Sequence, residues 1–275
     1  MGWPISHSRS PVIHGHWIKQ LGLRGAYVPL AVNPVALPQA LSGLSALGFA
    51  GCNLTLPHKV DALACVHQLD DVARQIGAVN TVVVNPDGSL RGTNTDAFGY
   101  IQSLHEAQPS WQARQGAAVV LGAGGAARAI GVELALAGAS HITLVNRSAE
   151  RGQALATLLR DKAKIACDLV IGSADAKIPE GTDVVINATS IGLYPDVNAR
   201  LPLDTSGLKA SMVVADVIPN PPTTRLVREA REKGCKVIDG LGMLVNQGVI
   251  GIKHWSGIDP DPAIMRKALE DVFGV

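Results

Sequence analysis

Aromatic side chains and unbalanced charge are both scarce in this sequence of 275 residues. Aromatic residues make up 4%, and 24 Lys and Arg against 23 Asp and Glu leave a formal charge of +1 with His neutral. Proteins that bind nucleic acid usually carry a basic excess, and platforms that stack bases need aromatic rings. The composition therefore predicts no nucleic-acid partner.

Long apolar runs and closely spaced cysteines are also missing. The most apolar stretch, residues 117–139, is interrupted by charges and glycines, so no run of about 18 uncharged apolar residues predicts a membrane helix. The first ten residues contain Pro4 and Arg9, which excludes the apolar core of a signal peptide. The four cysteines lie far apart and include no Cys-x-x-Cys pair, and because no export signal is predicted, buried thiols are favoured over disulfides. We therefore predict a cytoplasmic protein with no membrane contact.

Aliphatic side chains and glycine are abundant instead. Hydrophobic residues make up 47% of the chain, and there are 29 glycines, so a sizeable core can form. In the second half, near-continuous apolar strands alternate with helices, a pattern typical of a parallel sheet covered on both faces. The strands predicted there are 117–121, 141–145, 184–186, 212–215 and 236–238.

The first hundred residues predict a different mixture of helices and strands. Predicted helices are 11–21 (with Ser10 as N-cap), 37–47, 60–68, 70–75 and 96–108, and predicted strands are 26–32, 51–56 and 78–84, the last entering a hairpin at Asn85–Gly88. A linker is predicted at 108–116, and helices at 241–251 and 262–272 return to the first domain. The result is an α/β protein with one domain at 1–98 and 238–275 and another at 99–237.

A glycine-rich turn follows the strand 117–121 and opens a helix, which is the context of the dinucleotide-binding fingerprint. In that fingerprint Gly122 permits the tight turn, Gly124 lets the backbone approach the pyrophosphate, and Ala127 lets the helix pack close to the strand. The helix N-terminus supplies unpaired N–H groups. A packing turn without ligand is the alternative. We predict a Rossmann-type domain whose cofactor-binding residues are Gly122, Ala123, Gly124, Gly125, Ala126 and Ala127.

The end of the next strand distinguishes NADP from NAD. NAD-binding domains usually place Asp or Glu there, roughly 20 residues on, to bind the ribose hydroxyls. This chain has Asn146, Arg147 and Ser148, with Arg151 one turn into the helix. Arginine pairs with a 2′-phosphate that an acidic residue would repel, so NADP is favoured over NAD, with a solvated surface arginine as the alternative. Four further residues are predicted to line the nicotinamide-ribose side: Asn187, Ala188, Thr189 and Ser190.

Hydroxyl and amide side chains are concentrated in short segments of the first domain, which suits a small polyhydroxylated ligand. Turn chemistry alone would explain any single segment. Taken together and in order, however, the segments resemble the shikimate dehydrogenase family, which includes shikimate and quinate dehydrogenases, over essentially the whole length. Eight blocks carry the resemblance: PISHSRSP at 4–11, NLTLPHK at 53–59, GAVNT at 77–81, NTD at 94–96, GAGGAAR at 122–128, NRS at 146–148, NATS at 187–190 and GMLVNQ at 242–247.

The resemblance implies an NADP-dependent enzyme that reversibly reduces 3-dehydroshikimate to shikimate, a step of aromatic amino-acid biosynthesis. It implies that the first domain binds substrate, that Lys59 and Asp96 form a catalytic pair at a cleft between two domains, and that Gly240 faces the nicotinamide. We expect a small hydroxy acid as partner and a monomer or homodimer. The residues implied to contact substrate are Ser8, Ser10, Asn53, Thr55, Asn80 and Gln247.

The proposed pair suits the chemistry of ketone reduction. Hydride transfer to a ketone creates an alkoxide that must receive a proton, and the reverse oxidation needs a base. A lysine near that oxygen can give the proton while its charge stabilises the oxyanion, and Asp96 can orient the Lys59 ammonium. A surface salt bridge is the alternative. We expect His58 to face away from the site, and His14 and His16, which lack further ligands, to bind no metal.

Three departures from the family pattern leave alternatives open. Pro219 stands where the family usually has a tyrosine close to the substrate and nicotinamide. Gly15 replaces the usual asparagine and is followed by the bulky His16 and Trp17. Relatives usually carry a short strand before Pro4. We therefore expect either that this strand is missing from this sequence or that the start codon lies elsewhere. The alternatives are a quinate or related cyclohexane hydroxy-acid dehydrogenase using NAD or NADP, and a non-catalytic dinucleotide-binding regulator.

Overall fold

The computed structural model describes residues 1–6, 8–107, 109, 116–172 and 175–274, and its chain divides into two units. One unit joins Met1–Asp96 to Leu244–Val275, and the other is Ala97–Met243. The chain therefore leaves the first unit and returns to it near its end. Of the linker predicted at 108–116, only Pro109 and Gly116 are among the described residues.

A four-stranded sheet lies in the first unit. Its strands are β1 (Gly51–Asn53), β2 (Gln68–Leu69), β3 (Thr81–Val84) and β4 (Leu90–Thr93), in the order β1-β3-β4-β2. β3 pairs antiparallel with β1 and with β4, whereas β2 runs parallel to β4. The predicted hairpin is confirmed, because the turn Asn85–Gly88 joins β3 to β4.

A six-stranded parallel sheet forms the second unit. Its strands are β5 (Ala117–Leu121), β6 (His141–Asn146), β7 (Ala166–Ile171), β8 (Thr182–Asn187), β9 (Val213–Asp216) and β10 (Lys236–Ile238). The order β10-β9-β8-β5-β6-β7 reverses direction between β5 and β8, which is the doubly wound arrangement whose switch point binds ligands. The predicted α/β fold with a parallel sheet is therefore confirmed.

Nine α-helices are described, and capping residues set where some of them begin and end. Asp70, for example, caps the third helix by accepting the N–H of Ala73 at 2.8 Å, and Gly77 ends that helix in the left-handed conformation. The C-terminal helix packs on the first one. In chain order the helices are α1 (Ser10–Gln20), α2 (Leu37–Ala46), α3 (Asp71–Ile76), α4 (Asp96–Ala107), α5 (Gly125–Leu136), α6 (Ala149–Asp161), α7 (Arg225–Glu232), α8 (Gly240–Ser256) and α9 (Pro262–Phe273).

The described residues can be compared with the sequence in two further respects, membrane-spanning helices and the state of the cysteines. None of the helices described is both long and apolar enough to cross a membrane. The four cysteines are free thiols: Cys52, Cys167 and Cys235 are buried, and Cys65 is half-buried.

Three local predictions are wrong. Residues 26–32 form no strand, because Pro29 cannot donate to a ladder, and only an isolated bridge joins Gly2 to Ala31. The helix predicted at 60–68 is a short 3-10 turn, Asp61–Ala64, followed by β2. Ser10 is the first residue of α1 and not its cap, a position that Arg9 occupies without a side-chain cap.

One strand of the second sheet was not predicted. β7 is an edge strand, paired on one side with β6, and most of its side chains are at least partly exposed. Its polar Asp168 interrupts the apolar run that would have marked a strand. Edge strands need less apolar surface than central ones, so they leave a weaker pattern in the sequence.

An aromatic cluster of the buried His14 and the half-buried Tyr27 and Trp255 joins α1 and α8 in the first unit. The His14 ring stacks on Tyr27 with centroids 4.2 Å apart and lies edge-on to Trp255 at 5.8 Å. Neither ring nitrogen of His14 has a hydrogen-bond partner among the described residues, and its side chain is fully buried. Burial disfavours the charged form and lowers the pKa of His14 to about 3.

Because of this lowered pKa, folding stability should fall on acidification. Below the unfolded-state value of 6.5 and above about 3, the unfolded chain binds a proton that folded His14 excludes. In this range His14 should lower the free energy of unfolding of the wild-type protein by about 1.4 kcal/mol for each pH unit. His14→Phe should remove this dependence on pH. Urea unfolding between neutral and mildly acidic pH measures the difference.

The exposed neighbour on α1 provides the control for this prediction. His16→Asn should keep the pH dependence of the wild-type protein, since His16 is exposed. Parallel stability curves for the wild-type protein and His14→Phe over the acidic range would contradict the assignment to His14.

Candidate functional site

Lys59 and Asp96 meet in the first unit. The Lys59 Nζ donates to Asp96 Oδ2 at 2.6 Å, and the two side chains retain 15% and 6% of their exposure. Lys59 lies in the turn after Pro57, where its carbonyl accepts the Val79 N–H at 2.7 Å, and Asp96 begins α4. The lysine is therefore held against a buried carboxylate while part of its side chain still reaches solvent.

Asn80 anchors the other oxygen of this carboxylate. Its Nδ2 donates to Asp96 Oδ1 at 2.8 Å and to Thr95 Oγ1 at 3.0 Å, while its Oδ1 accepts the Thr95 N–H at 2.8 Å. Thr81 Oγ1 also donates to Asn80 Oδ1 at 3.0 Å. The amide hydrogens of Asn80 are thus used within the protein, and they fix the direction in which Asp96 presents its free lone pairs.

Asn53 extends the same hydrogen-bonded network to Tyr27. Asn53 Nδ2 donates to Thr81 Oγ1 at 2.9 Å, and Asn53 Oδ1 accepts the Tyr27 hydroxyl at 2.7 Å. Burial raises the pKa of Tyr27 well above its usual range, so the hydroxyl stays protonated and can donate. A continuous path of hydrogen bonds therefore runs from Tyr27 through Asn53, Thr81 and Asn80 to Asp96 and Lys59.

The other predicted substrate residues are Ser8, Ser10, Thr55 and Gln247. Ser8 and Ser10 flank the start of α1, and Thr55 follows β1 with its N–H donating to the Met1 carbonyl at 3.0 Å. Gln247 is buried on α8, where its Nε2 donates to the Leu244 carbonyl at 2.9 Å. In the described part of the chain none of these four side chains hydrogen-bonds directly to Lys59 or Asp96, although the Ser10 side chain lies within hydrogen-bonding reach of the Tyr27 hydroxyl.

His58 faces away from its neighbour, as expected. It is fully buried, and its Nε2 lies 2.9 Å from the Val32 carbonyl, whereas Lys59 reaches Asp96. Burial lowers the pKa of His58, which favours a neutral ring bound in the core. Among the described residues, no three His, Cys, Asp or Glu side chains converge as ligands for a metal ion.

The glycine-rich turn has room for a ligand at the position where the fingerprint requires it. Gly122 adopts φ +109°, and a Cβ there would meet the Ala188 carbonyl oxygen at 2.9 Å, so only glycine fits. A Cβ on Gly124, the N-cap of α5, would meet nothing within 4 Å. No side chain caps α5, so the N–H groups of its first turn are available for phosphate oxygens. These residues fit the pyrophosphate of a dinucleotide.

The end of β6 carries positive charge and no acid. Asn146 ends the strand, and its Nδ2 donates to the Ser148 carbonyl at 2.7 Å, while Ser148 caps α6. The exposed Arg147 and Arg151 make no ion pair with a carboxylate within the described ranges. Both guanidinium groups are therefore free to approach an anion.

Asn187 ends β8 and shapes the turn that follows it. The residue is fully buried, and its Oδ1 accepts the Thr189 N–H at 3.1 Å and the Thr189 hydroxyl at 2.7 Å. Ala188 contacts Gly122 across the switch point, and Gly240 contacts the carbonyl group of Ile218 so closely that a Cβ would collide with it. The predicted nicotinamide-side residues thus all lie in the second unit: Asn187, Ala188, Thr189 and the exposed Ser190 at the end of β8 and in the turn after it, and Gly240 at the start of α8.

Four residues of these networks were not predicted from the sequence. Tyr27 and Thr81 lie in segments that the sequence predicts as strands, and Thr95 lies between Asn94 and Asp96; hydroxyls close to amides in such segments indicate shared hydrogen bonds. The fourth is Asp216, which accepts a hydrogen bond from Asn187 Nδ2 at 3.1 Å and ends the apolar run of β9 with a charge. A charge at the carboxyl end of a buried parallel strand marks the edge where such sheets bind ligands, and this was the available signal.

Three family descriptions match the chain. "Shikimate dehydrogenase substrate binding domain" matches residues 1–82, "Shikimate / quinate 5-dehydrogenase" matches residues 105–202, and "Shikimate 5'-dehydrogenase C-terminal domain" matches residues 240–270. The first match contains Lys59 and Asn80, and the second contains the glycine-rich turn.

Individual relatives match over nearly the full length. A curated protein of Rhodospirillum rubrum, named shikimate dehydrogenase (NADP(+)), is 46% identical over 95% of this chain and 92% of its own. The ligand-free structure of 5-ketofructose reductase from a Gluconobacter species is 43% identical with a TM-score of 0.86, covering 99% of this chain and 96% of that one. The structure of shikimate 5-dehydrogenase from Thermus thermophilus with NADP(H) and shikimate is 36% identical with a TM-score of 0.83, covering 98% and 97%.

The Asn80 network predicts a loss of stability when its centre is removed. Asn80→Ala leaves the buried Thr95 N–H and Asp96 Oδ1 without their partner, which should cost about 2 kcal/mol and lower Tm by about 5 °C. Differential scanning fluorimetry measures this shift. The exposed Asn198 offers the control, since Asn198→Ala should leave Tm unchanged. An Asn80→Ala protein as stable as the control would show that these hydrogen bonds contribute little.

Proposed function

Because the chain belongs to the shikimate dehydrogenase family, as its ordered motifs predict, we propose that it catalyses the reversible NADP-linked reduction of 3-dehydroshikimate to shikimate. The relative at 46% identity and the solved structure with NADP(H) and shikimate support this reaction. The unit of Met1–Asp96 and Leu244–Val275 binds the hydroxy acid, and the unit Ala97–Met243 binds the dinucleotide. The reaction then serves aromatic amino-acid biosynthesis. As predicted, the proposed enzyme acts in the cytoplasm as a monomer or homodimer.

The Lys59–Asp96 contact of 2.6 Å is the observation that carries the mechanism. The bound dinucleotide supplies a hydride to the ketone carbon. Lys59 donates a hydrogen bond to the ketone oxygen through Nζ, stabilises the negative charge that develops there, and transfers a proton to it. In the reverse direction neutral Lys59 accepts the hydroxyl proton. The partial exposure of Lys59 lets its amine exchange that proton with water.

Asp96 and Asn80 act on this step by orientation. Asp96 accepts one N–H of the Lys59 ammonium, so the remaining two point in directions set by the carboxylate. Asn80 holds the other carboxylate oxygen, and Asn53 supports Asn80 through Thr81. Since their amide hydrogens are already engaged, Asn53 and Asn80 offer the substrate few free donors. The hydroxyls of Ser8, Ser10 and Thr55 and the amide of Gln247 remain as the proposed contacts to its carboxylate and hydroxyls.

A reductase for a neutral sugar ketone is the second candidate. It is favoured by the similarity to 5-ketofructose reductase, at 43% identity over 99% of this chain, and by Pro219 in place of the tyrosine usual in the family. Quinate dehydrogenase activity, with NAD or NADP, is the variant closest to the first candidate. A non-catalytic regulator is disfavoured, because both side chains that the proposed chemistry requires, Lys59 and Asp96, are present and in contact.

A panel of substrates separates these functions. With 3-dehydroshikimate and 5-ketofructose, the assay follows the loss of NADPH absorbance. With shikimate and quinate, it follows the absorbance of the NADPH or NADH that forms from NADP or NAD. We expect 3-dehydroshikimate to give the highest kcat/KM. Lys59→Ala should lower kcat about 100-fold or more, because the transferred proton is lost, while NADPH affinity stays unchanged. Lys19→Ala is the matched control, because Lys19 is exposed on α1 and its loss should leave kcat unchanged.

Each outcome of the panel has a defined meaning. A higher kcat/KM with 5-ketofructose would replace the first candidate with the second. Absence of turnover with every compound would leave the regulator. Turnover that survives Lys59→Ala would keep the substrate and remove the proposed role of the lysine.

The cofactor preference rests on Arg147 and Arg151. Removing both guanidinium groups should weaken NADP binding about 10- to 100-fold and leave NAD binding nearly unchanged, because only NADP carries the 2′-phosphate. Fluorescence titration of Arg147→Ala/Arg151→Ala with NADPH and NADH measures both affinities. Lys162→Ala, at the other end of α6, should change neither. An equal loss for both cofactors would refute the assignment.

A further inference from the structure

Asp216 is a buried carboxylate that the proton chemistry does not use. It ends β9, and its Oδ2 accepts the Thr224 hydroxyl at 2.7 Å. Its Oδ1 accepts the Ile218 N–H at 3.0 Å. Asn187 Nδ2 donates to both oxygens, at 3.1 and 3.2 Å. One carboxylate thus ties together the end of β8, the segment after β9 and the residue that caps α7.

The first of these ties reaches the glycine-rich turn. Asn187 uses its Nδ2 for Asp216 and its Oδ1 for Thr189, so the carboxylate fixes the turn 187–191 through a single side chain. The Ala188 carbonyl of that turn lies against Gly122 at the switch point of the sheet. Ligands of doubly wound sheets bind at this point, beyond the carboxyl ends of the strands.

The second tie reaches Gly240. The Ile218 N–H is bound to Asp216, and the Ile218 carbonyl group is packed directly on the Cα of Gly240. Gly240 begins α8, and Thr224 caps α7 by accepting the Val227 N–H at 3.3 Å. Displacement of Ile218 would therefore move the backbone on which Gly240 rests.

Among the described residues, hydrogen bonds and not a paired cation balance the charge on Asp216. Burial raises the pKa of Asp216 to about 6 despite its donors. Arg200, Arg225 and Glu229 line the same cavity, but in the described chain Arg225 pairs with Glu229 at 2.6 Å and Arg200 with Asp175 at 3.0 Å. Hydrogen bonds are directional, so they hold the attached backbone segments more narrowly than a diffuse charge would.

We propose that Asp216 is a positioning residue that holds the turn 187–191 and the segment 217–219 as the wall against which the nicotinamide end of the dinucleotide binds. The proposal rests on the proposed function for the identity of that ligand. Asp216 itself touches neither substrate nor reacting atoms. It acts through Asn187, Ile218 and Thr224.

The test removes one donor and then restores it. Thr224→Val keeps the shape of the side chain but loses its hydroxyl, and Thr224→Ser restores the hydroxyl. We expect the Kd for NADPH, measured by fluorescence without substrate, to rise about three- to tenfold in Thr224→Val and to return close to wild type in Thr224→Ser. Asp216→Asn should raise it further. Amide hydrogen exchange of the apoprotein should accelerate in 187–191 and 217–219 in Thr224→Val but not in Thr224→Ser.

The outcomes distinguish this inference from the proposed function. If the wild-type protein binds neither NADPH nor NADH, the proposed function fails and the positioning role fails with it. If the wild-type protein binds NADPH and Thr224→Val binds it equally well while Tm falls, Asp216 is only structural and the inference is overturned. The inference would also be overturned if Thr224→Val raised the KM for the carbonyl substrate by as large a factor as it raised the Kd for NADPH.

Discussion

A lysine ammonium held 2.6 Å from a carboxylate that keeps only 6% of its exposure is the contact around which the first unit is organised. Withdrawing both charges from water is costly unless their other hydrogen-bonding positions are satisfied. Asn80 satisfies one of them, and the pairing of β3 with β4 brings Asn80 and Thr95 together. This requirement explains why amides and hydroxyls are concentrated in segments that are otherwise apolar.

The second unit could be predicted almost completely, because its signals are local. A buried parallel strand produces an uninterrupted apolar run, and a phosphate-binding turn needs glycine at defined spacings, so β5 and Gly122 were evident from neighbouring residues alone. β7 was missed because an exposed edge strand does not need such a run. Residues 26–32 had the composition of a strand, but Pro29 and the absence of a continuous pairing partner leave only an isolated bridge.

The site was predicted less evenly than the fold. Ordered motifs identified Lys59, Asp96 and Asn80 as members of one site, but they did not show that Asn80 and Asn53 spend their amide hydrogens inside the protein. Such bonds join residues far apart in sequence, 26 positions in the case of Tyr27 and Asn53, and depend on how strands and turns meet. Asp216 was not predicted in part for the same reason, because its bond from Asn187 spans 29 positions, although its other donors in Ile218 and Thr224 are only 2 and 8 positions away.

In the proposed mechanism Lys59, oriented by Asp96, gives its proton to the oxygen of the reacting carbonyl. The most direct measurement is a crystal structure of the protein with NADP and its hydroxy-acid product. We expect Lys59 Nζ to lie within hydrogen-bond distance of the reacting hydroxyl oxygen, about 2.6–3.2 Å, while it keeps its contact with Asp96. A reacting oxygen more than about 4 Å from Nζ, bound instead by another side chain, would contradict it.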